Sequence, residues 1–285
     1  MDFLIQLLNS IQYGLLLFLL ASGLTLVFGI MGVINMAHGS FYMIGAYLAY
    51  WLAAKTGSLW LAIPLGLAVV MLLGVVLEAL LFRRLYRRDH LQQVLLTFGL
   101  ILIFEELRSI LFGDDVQGVA VPALLNYSIP LTDNLSYPVY RLFISGTCLL
   151  VAGAMYWLIQ KTRLGMMIRA GSSNRKMAQS LGININLIYS LVFAVGLALA
   201  AFAGMIAAPA SSVYPGMGSQ ILIICFVVVV IGGIGSIKGA LVAALMIGIT
   251  DTLGKVFMPD FSGFAVYLLM AIILLWRPQG LFRGA

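Results

Sequence analysis

Long apolar runs separated by short polar segments constrain the fold of this chain more than any other feature. The runs fall at about 3–30, 40–54, 59–82, 92–112, 139–160, 187–208, 219–235, 239–257 and 262–277. Only 9% of the 285 residues are charged, whereas a soluble domain carries about 25%. Because one bilayer crossing takes about 20 apolar residues, the sequence predicts an all-α, polytopic transmembrane bundle with about eight or nine spans.

We expect these spans to form a single transmembrane domain over residues 1–285. The first run is predicted to be a retained span, because Asp2 replaces the basic region of a secretory signal and the run is too long for one. The run at 40–54 is short and is interpreted either as a half-helix or as part of a broken span. The run at 219–235 ends in closely spaced glycines, so it too is a candidate for an interrupted helix.

Basic residues cluster in segments 83–88 and 161–176 and near the C-terminus. They are Arg83, Arg84, Arg87, Arg88, Lys161, Arg163, Arg169, Arg175, Lys176, Arg277 and Arg283. Segment 113–138 contains aspartates but no Lys or Arg. Since Lys and Arg in short loops mark the cytoplasmic side, we predict that the basic segments and the C-terminus are cytoplasmic and that 113–138 lies outside. Topology therefore accounts for the net charge of +6 without a nucleic-acid partner.

The first informative segment, residues 29–47, places Asn35 and His38 between two apolar runs, among Gly29, Gly32 and Gly39. One interpretation is a broken helix that lines a translocation path, because unwound backbone at membrane depth persists where it is buried or lines a cavity. The other is a cytoplasmic turn with a capping asparagine and a passive histidine. Spacing alone does not separate them.

The second segment, residues 227–241, is also interrupted by glycines. These are Gly232, Gly233, Gly235 and Gly239. No Gly-x-x-x-x-Gly-Lys-Ser/Thr spacing occurs here or elsewhere in the chain, so nucleotide binding is not indicated. Gly235 and Gly239 have the spacing of a small-x-x-x-small pair for close helix packing. We therefore predict that the glycines of both segments act in hinges or close packing.

The third segment, residues 163–183, predicts a short cytoplasmic helix. Ser172, Ser173 or Asn174 is the candidate cap, and Gly182 is the candidate terminator. Met177 and Leu181 fall four residues apart on one face, with Ala178 beside them. The small apolar face, flanked by basic residues, fits either anionic lipid headgroups or a protein groove.

The remaining charged residues near the spans are interpreted as pairs. Glu78 is expected to pair with the arginine cluster at 83–88. Glu105 with Arg108, and Asp251 with Lys255, have helical spacing for ion pairs, although a polar lining of an outer vestibule is an alternative for Glu105, Glu106 and Arg108. No metal-ligand spacing or nucleophile–base motif is present, so we expect no metal site, no catalytic residue and no enzyme.

Four stretches together resemble the permeases of branched-chain amino acid ABC importers, and most closely the shorter of their two permease subunits. These stretches are Gly32-Val-Ile-Asn-Met-Ala-His-Gly39 with the following Phe41-Tyr-Met-Ile-Gly-Ala-Tyr47, Arg169-Ala…Lys176-Met-Ala-x-x-Leu-Gly-Ile183, Gly232-Gly-Ile-Gly-Ser-Ile-x-Gly239, and Arg277-Pro-Gln-Gly-Leu-Phe282. Their order and spacing match the family over nearly the whole chain. Two positions depart from it: Ser40 stands where many relatives carry an acidic residue, and Lys238 replaces other residues.

The resemblance implies a division of labour in the bacterial inner membrane. A periplasmic binding protein delivers the substrate, two similar permeases form the path, and two cytoplasmic ATPases use ATP, so this chain needs no cofactor. Loop 161–186 would be the ATPase-coupling segment, and its contact residues would be Arg169, Ala170, Met177, Ala178, Leu181 and Gly182.

We therefore predict a permease subunit that imports branched-chain or other small apolar amino acids by alternating access. The candidate path residues are Asn35, His38 and Tyr42. One alternative is the same machine with urea or a short amide as substrate, since related permeases share the Asn-Met-Ala-His-Gly stretch. The other is a standalone channel or secondary carrier, which would need no ATPase.

Overall fold

The computed structural model describes residues 2–86, 88–132 and 135–282; Arg87 and Arg283, predicted above to be cytoplasmic, lie outside the described residues. The helices are α1 (Asp2–Met31), α2 (His38–Thr56), α3 (Leu59–Leu77), α4 (Arg83–Leu85), α5 (His90–Phe112), α6 (Val139–Lys161), α7 (Arg163–Ser173), α8 (Arg175–Ser180), α9 (Ile185–Ala207), α10 (Met217–Gly232), α11 (Ile237–Phe257) and α12 (Ser262–Trp276). A π-helical turn, Glu78–Phe82, joins α3 to α4. Strands β1 (Ser128–Thr132) and β2 (Leu135–Pro138) pair as an antiparallel hairpin.

The predicted all-α, polytopic bundle is confirmed. Among the described residues, five helical stretches are long and apolar enough to span a membrane: Phe3–Met31, Leu59–Leu85, Val139–Lys161, Ile185–Ala207 and Ile237–Phe257. The apolar stretches Met217–Gly232 and Gly263–Trp276 are shorter. Each apolar run of the sequence coincides with a helix. The total of eight or nine crossings stays a prediction, because it depends on whether the shorter helices cross the membrane.

Helices α1 and α9 form the centre of the bundle. In the most apolar stretch of each helix, 83% of the residues of α1 and 78% of those of α9 are buried. The corresponding share is 22–33% for the spans in α3, α6 and α11. α1 packs against α6, α9, α10 and α11. The outward faces of α3, α5 and α6 expose large apolar side chains such as Leu72, Ile110 and Leu150, which suits contact with lipid or another apolar subunit.

The basic segments lie together at one end of the bundle, which we call the basic end. The Arg175 guanidinium stacks 5.0 Å from the ring centroid of Tyr189 and 6.0 Å from that of Tyr86, which joins segment 161–184 to the end of α4. The Leu281 N–H donates to the Ile231 carbonyl at 2.8 Å, which holds the described C-terminal residues beside the end of α10. The clustering that the sequence predicts for these loops is thus found in the fold.

The acidic loop 113–138 lies at the opposite end, together with the start of α1. Gln117 and Val213 exchange two backbone hydrogen bonds of 2.8 Å, which ties this loop to the α9–α10 connection. The Tyr137 hydroxyl donates to Asn9 Oδ1 at 3.2 Å. The first helix therefore begins at the end away from the basic loops, a point that charge patterning leaves open. Asp133 lies outside the described residues.

Candidate functional site

Helix α2 begins inside the bundle and not at its surface. The His38 Nε2 lies 3.0 Å from the Leu20 carbonyl oxygen of α1. Leu20 precedes the end of α1 at Met31 by about 16 Å of helix axis, at 1.5 Å per residue. Segment 32–37 therefore turns back along α1 before α2 starts. This placement favours the broken-helix interpretation over a surface turn.

The start of α10 meets the start of α2 at this depth. A Cβ on Gly218 would lie 2.7 Å from the Gly39 carbonyl oxygen, and a Cβ on Gly39 would collide with the Gly218 backbone. Both positions need glycine because the two backbones touch. From this contact α2 runs towards the acidic loop, whereas α10 runs to the basic end. We call the meeting point of these two helix N-termini the junction.

The polar side chains at the junction are buried, and their hydrogen bonding is incomplete. Asn35 Oδ1 accepts a hydrogen bond from the Ala37 N–H at 3.1 Å; this bond closes the turn before α2 and does not cap the N–H groups of its first turn. Within the described part of the chain, Asn35 Nδ2 and His38 Nδ1 have no hydrogen-bond partner, and both side chains are fully buried. An unsatisfied buried polar group costs about 1–3 kcal/mol. Because His38 Nε2 donates to the Leu20 carbonyl, the free His38 Nδ1 is an acceptor, whereas Asn35 Nδ2 and the two helix N-termini present hydrogen-bond donors and positive partial charge.

A cavity of about 610 Å³, which we call the outer cavity, reaches towards the junction from the end that carries the acidic loop. Tyr42, one turn into α2, lines it together with Met217, the first residue of α10. Its other lining residues come from the first half of α1, the start of α6, the last turns of α11, and the connection between α9 and α10 with the adjoining turns of both helices. Of the three predicted path residues, Tyr42 lines the outer cavity, whereas Asn35 and His38 are not among its lining residues.

A second cavity of about 380 Å³, the inner cavity, opens at the basic end. Thr25 and Gly29 of α1 line it, with Arg169 of α7 and Lys238 of α11 on other walls. The stretch of α1 between the two cavities, Leu17–Leu24, is buried at nearly every position. The bundle is therefore closed between an outer and an inner cavity that share α1 as a wall.

Close contacts at glycines join the elements of the basic end, but the partners differ from the Gly235–Gly239 pair that the sequence suggests. A Cβ on Gly29 would lie 2.7 Å from Gly235 Cα, and a Cβ on Gly232 would lie 2.6 Å from the carbonyl carbon of Gly239. Gly235 and Gly239 are therefore not one helical pair, because α11 begins only at Ile237. Each glycine instead packs on a different partner.

Two other predicted glycines are explained by backbone conformation. Gly32 has a φ of +66° and no close neighbour, whereas Gly233 has a φ of +94° and abuts the Phe282 carbonyl. L-residues with side chains rarely adopt such angles. Close packing is thus excluded at Gly32, while a hinge role for these positions stays a prediction.

The short helix predicted near residue 177 is present as α8. Asn174 is its cap, since Asn174 Oδ1 accepts from the Met177 N–H at 3.0 Å, and Gly182 ends it with a φ of +82°. Leu181 is 74% exposed and Met177 is 60% exposed, whereas Ala178 is 2% exposed. The exposed apolar face therefore consists of Met177 and Leu181, and Ala178 anchors the helix from behind.

Helix α7, which the sequence interpretation did not separate from α8, connects this face to the spans. The Arg169 guanidinium donates to the Ile159 carbonyl in the last turns of α6, and Ala170 is half-buried beside it. Cationic side chains stabilise the carbonyl end of a helix. Helix α7 therefore links α8 to the end of α6 and to a wall of the inner cavity.

All three predicted ion pairs are present. Glu78 pairs with Arg83 at 3.1 Å, Glu105 with Arg108 at 3.5 Å, and Asp251 with Lys255 at 2.6 Å. Arg108 also has a shorter contact, 2.6 Å, to Asp114. Asp114 lies beyond the end of α5, so helical spacing gives no signal for that pair.

The contact between Arg108 and Asp114 predicts a pH dependence at the end of α5. Hydrogen bonds from Arg108 (2.6 Å) and the Ser109 hydroxyl (3.0 Å) lower the pKa of the Asp114 carboxyl. A lowered pKa contributes stability above the ordinary value of about 4 and loses it as the pH falls through the lowered value. We expect Asp114→Asn to reduce the melting temperature slightly at pH 7, and the difference from wild type to shrink as the pH falls below about 4. Asp115→Asn is the control, and a difference that grows as the pH falls below about 4 would contradict the assignment.

A bundle of apolar helices that is closed between two cavities is typical of multi-pass membrane transport proteins. Comparisons with known proteins agree with this class. Residues 6–275 match the family model of the branched-chain amino acid transport system permease component. The chain belongs to this family. The prediction of a transport permease, and not an enzyme, is therefore confirmed.

Individual relatives align over nearly their full length. The chain is 31% identical to the high-affinity branched-chain amino acid transport system permease protein BraD of Pseudomonas aeruginosa, with 97% of this chain and 94% of BraD covered. It is 30% identical to LivH of Escherichia coli K12, with 98% and 95% covered. A weaker likeness of 27% links it to LivM of the same organism, with 92% of this chain and 67% of LivM covered. No solved structure matches the chain significantly.

Proposed function

We propose that this chain is a permease subunit of an ABC importer that carries branched-chain or other small apolar amino acids across the bacterial inner membrane. The observation that carries the proposal is the family match over residues 6–275. The names of BraD and LivH both specify branched-chain amino acid transport. Neither urea import nor a standalone channel is favoured by these relatives.

The proposed path runs from the outer cavity through the junction to the inner cavity. Tyr42 lies at the base of the outer cavity, and the unpartnered Asn35 and His38 atoms lie at the junction. A carboxylate that enters the junction would accept hydrogen bonds from Asn35 Nδ2 and benefit from two helix N-termini. Strong binding is not needed there, because a tightly held substrate would be released slowly.

The proposed entry point for energy is α8. Its exposed Met177 and Leu181 would occupy a groove on a cytoplasmic ATPase, and α7 would pass the motion on through the Arg169–Ile159 contact. ATP would be used by the partner subunits and not by this chain. With the basic end in the cytoplasm, the described C-terminal residues face inwards and the outer cavity faces a periplasmic binding protein. The likeness to LivM supports a homologous second permease.

Leu181→Asp is expected to abolish ATPase association while the chain still folds. Leu181 is 74% exposed, so the substitution costs little within the chain, but a buried hot-spot contact with a partner is worth about 2 kcal/mol or more. The measurement is co-purification of the ATPases with tagged chain from mild detergent. Leu124→Asp is the control, because Leu124 is 77% exposed at the opposite end. Equal recovery of ATPase with both variants would contradict coupling through α8.

A further inference from the structure

The outer cavity combines a cation that has no acidic partner among the described residues, an acidic group and an aliphatic wall within one compartment. We propose that it is a receiving site for the zwitterion of an aliphatic α-amino acid, in which Arg141 binds the carboxylate and Asp251 binds the ammonium group. The inference rests on the proposed function and specifies where the substrate is first held. Both residues line the cavity.

Arg141 is available to an anionic ligand. It lies near the start of α6, and its Nη1 donates to the Oδ1 of Asn9 on α1. Within the described part of the chain, no carboxylate lies within 4.0 Å of its guanidinium. The Asn9 amide orients the guanidinium without neutralising it. Since a guanidinium binds carboxylates through paired, charge-assisted hydrogen bonds, a free substrate carboxylate is the ligand that this group lacks.

Asp251 supplies the opposite charge. Its side chain is 10% exposed and pairs at 2.6 Å with Lys255, whose side chain is 61% exposed. The Lys255 ammonium also lies 5.7 Å from the ring centroid of Tyr13, so it is held at the cavity edge by the acid and the ring together. A substrate ammonium would bind the same carboxylate from the cavity, because Lys255 is exposed enough to move into water.

The two charged groups contact neighbouring residues of α1 and line the same cavity. Arg141 is fixed to Asn9, and the Asp251–Lys255 pair is fixed to Tyr13. Asn9 and Tyr13 are four residues apart on α1, and such neighbours lie about 6 Å apart on one helix face. Arg141 and Asp251 therefore approach one cavity beside adjacent turns of α1.

An aliphatic wall completes the site. Met217, Ile221 and Ile224 of α10 face the cavity, and Leu16 of α1 and Val256 of α11 flank them. This wall would cover the side chain of leucine, isoleucine or valine, while Tyr42 lies at the base towards the junction. The cavity volume of about 610 Å³ lies within the range of roughly 300–1,000 Å³ that is usual for small-molecule sites. It exceeds the volume of a single amino acid, which suits a transient site.

The test uses a diazirine analogue of leucine and the permease complex in proteoliposomes. Photolabelling of α1, α10 and α11 peptides is expected, with competition by leucine and weaker competition by leucinamide, which lacks the carboxylate. Arg141→Gln should raise the leucine concentration needed for half-maximal competition about tenfold and remove the preference over leucinamide. Lys55→Gln, a charge removal outside the cavity, is the control.

A charge-swapped variant separates a ligand role from a structural one. The double variant Asp251→Lys with Lys255→Asp keeps the ion pair. If the pair only stabilised α11, this variant would be labelled as well as wild type. We expect it to lose labelling while its melting temperature stays near that of wild type. Labelling that is unchanged in both this variant and Arg141→Gln would overturn the inference, even if the complex imports leucine. Failure of the wild-type complex to import leucine would instead reject the proposed function.

Discussion

Replacing Gly39 by alanine is expected to abolish uptake. The added methyl group would collide with the Gly218 backbone where α2 and α10 meet, and backbone cannot yield as a flexible side chain does. Overpacking of this kind costs about 1–3 kcal/mol, and it would separate two helices whose contact forms the proposed path. Uptake of labelled leucine and the melting temperature of the purified chain measure the two effects.

Gly153→Ala in α6 is the matched control, because a Cβ there meets no atom within 4 Å. Alanine at such a helical position is expected to stabilise by about 0.5–1 kcal/mol and to leave uptake intact. Normal uptake by Gly39→Ala would show that the junction tolerates displacement, and it would remove the reason for placing the path there.

Among the variants proposed for this chain, Glu78→Ala is expected to lower the free energy of unfolding most. Glu78 is fully buried at the basic end of α3 and accepts hydrogen bonds from Arg83 (3.1 Å), the Tyr86 hydroxyl (2.6 Å) and the Ser190 hydroxyl of α9. Its removal leaves these donors without their acceptor. Because the Arg83 side chain is 45% exposed and can turn to water, we expect a loss of about 3 kcal/mol, at the lower end of the range for a broken buried pair.

The measurement is thermal unfolding of the purified chain in detergent. Glu106→Ala is the control, since Glu106 is exposed on the same kind of apolar helix. Glu78→Gln should cost less than Glu78→Ala, because the amide oxygen still accepts a hydrogen bond. Equal melting temperatures for Glu78→Ala and Glu106→Ala would contradict the role of Glu78 in joining α3 to α9.

Sequence periodicity and charge predict much of this architecture because the membrane restricts the available folds. Apolar length determines the helices, and charge separates the loops, so the basic segments lie at one end of the bundle and loop 113–138 lies at the other, as the sequence predicts. The cap at Asn174 and the terminator at Gly182 were also predictable, since both act within one helical turn. Ion pairs at helical spacing belong to the same local class.

The features that define the site are not local, and the sequence could not place them. The partner of Gly39 is Gly218, and nothing in either neighbourhood indicates that the two helices begin at one depth. Arg141 follows the acidic loop as an ordinary span boundary residue, and only the packing of α6 on α1 brings it into the cavity. The burial of Ala178 could not be predicted either, because it depends on a neighbouring helix and not on the periodicity of α8.

The most direct test of the account is ATP-dependent uptake by the reconstituted complex of this chain with its partner permease, ATPases and binding protein. Labelled leucine and labelled urea are supplied outside proteoliposomes, with and without ATP on the ATPase side. We predict leucine uptake that requires ATP, little urea uptake, and loss of leucine uptake with Leu181→Asp but not with Leu124→Asp. Leucine flux through this chain without ATP or ATPases, or uptake of urea in preference to leucine, would contradict it.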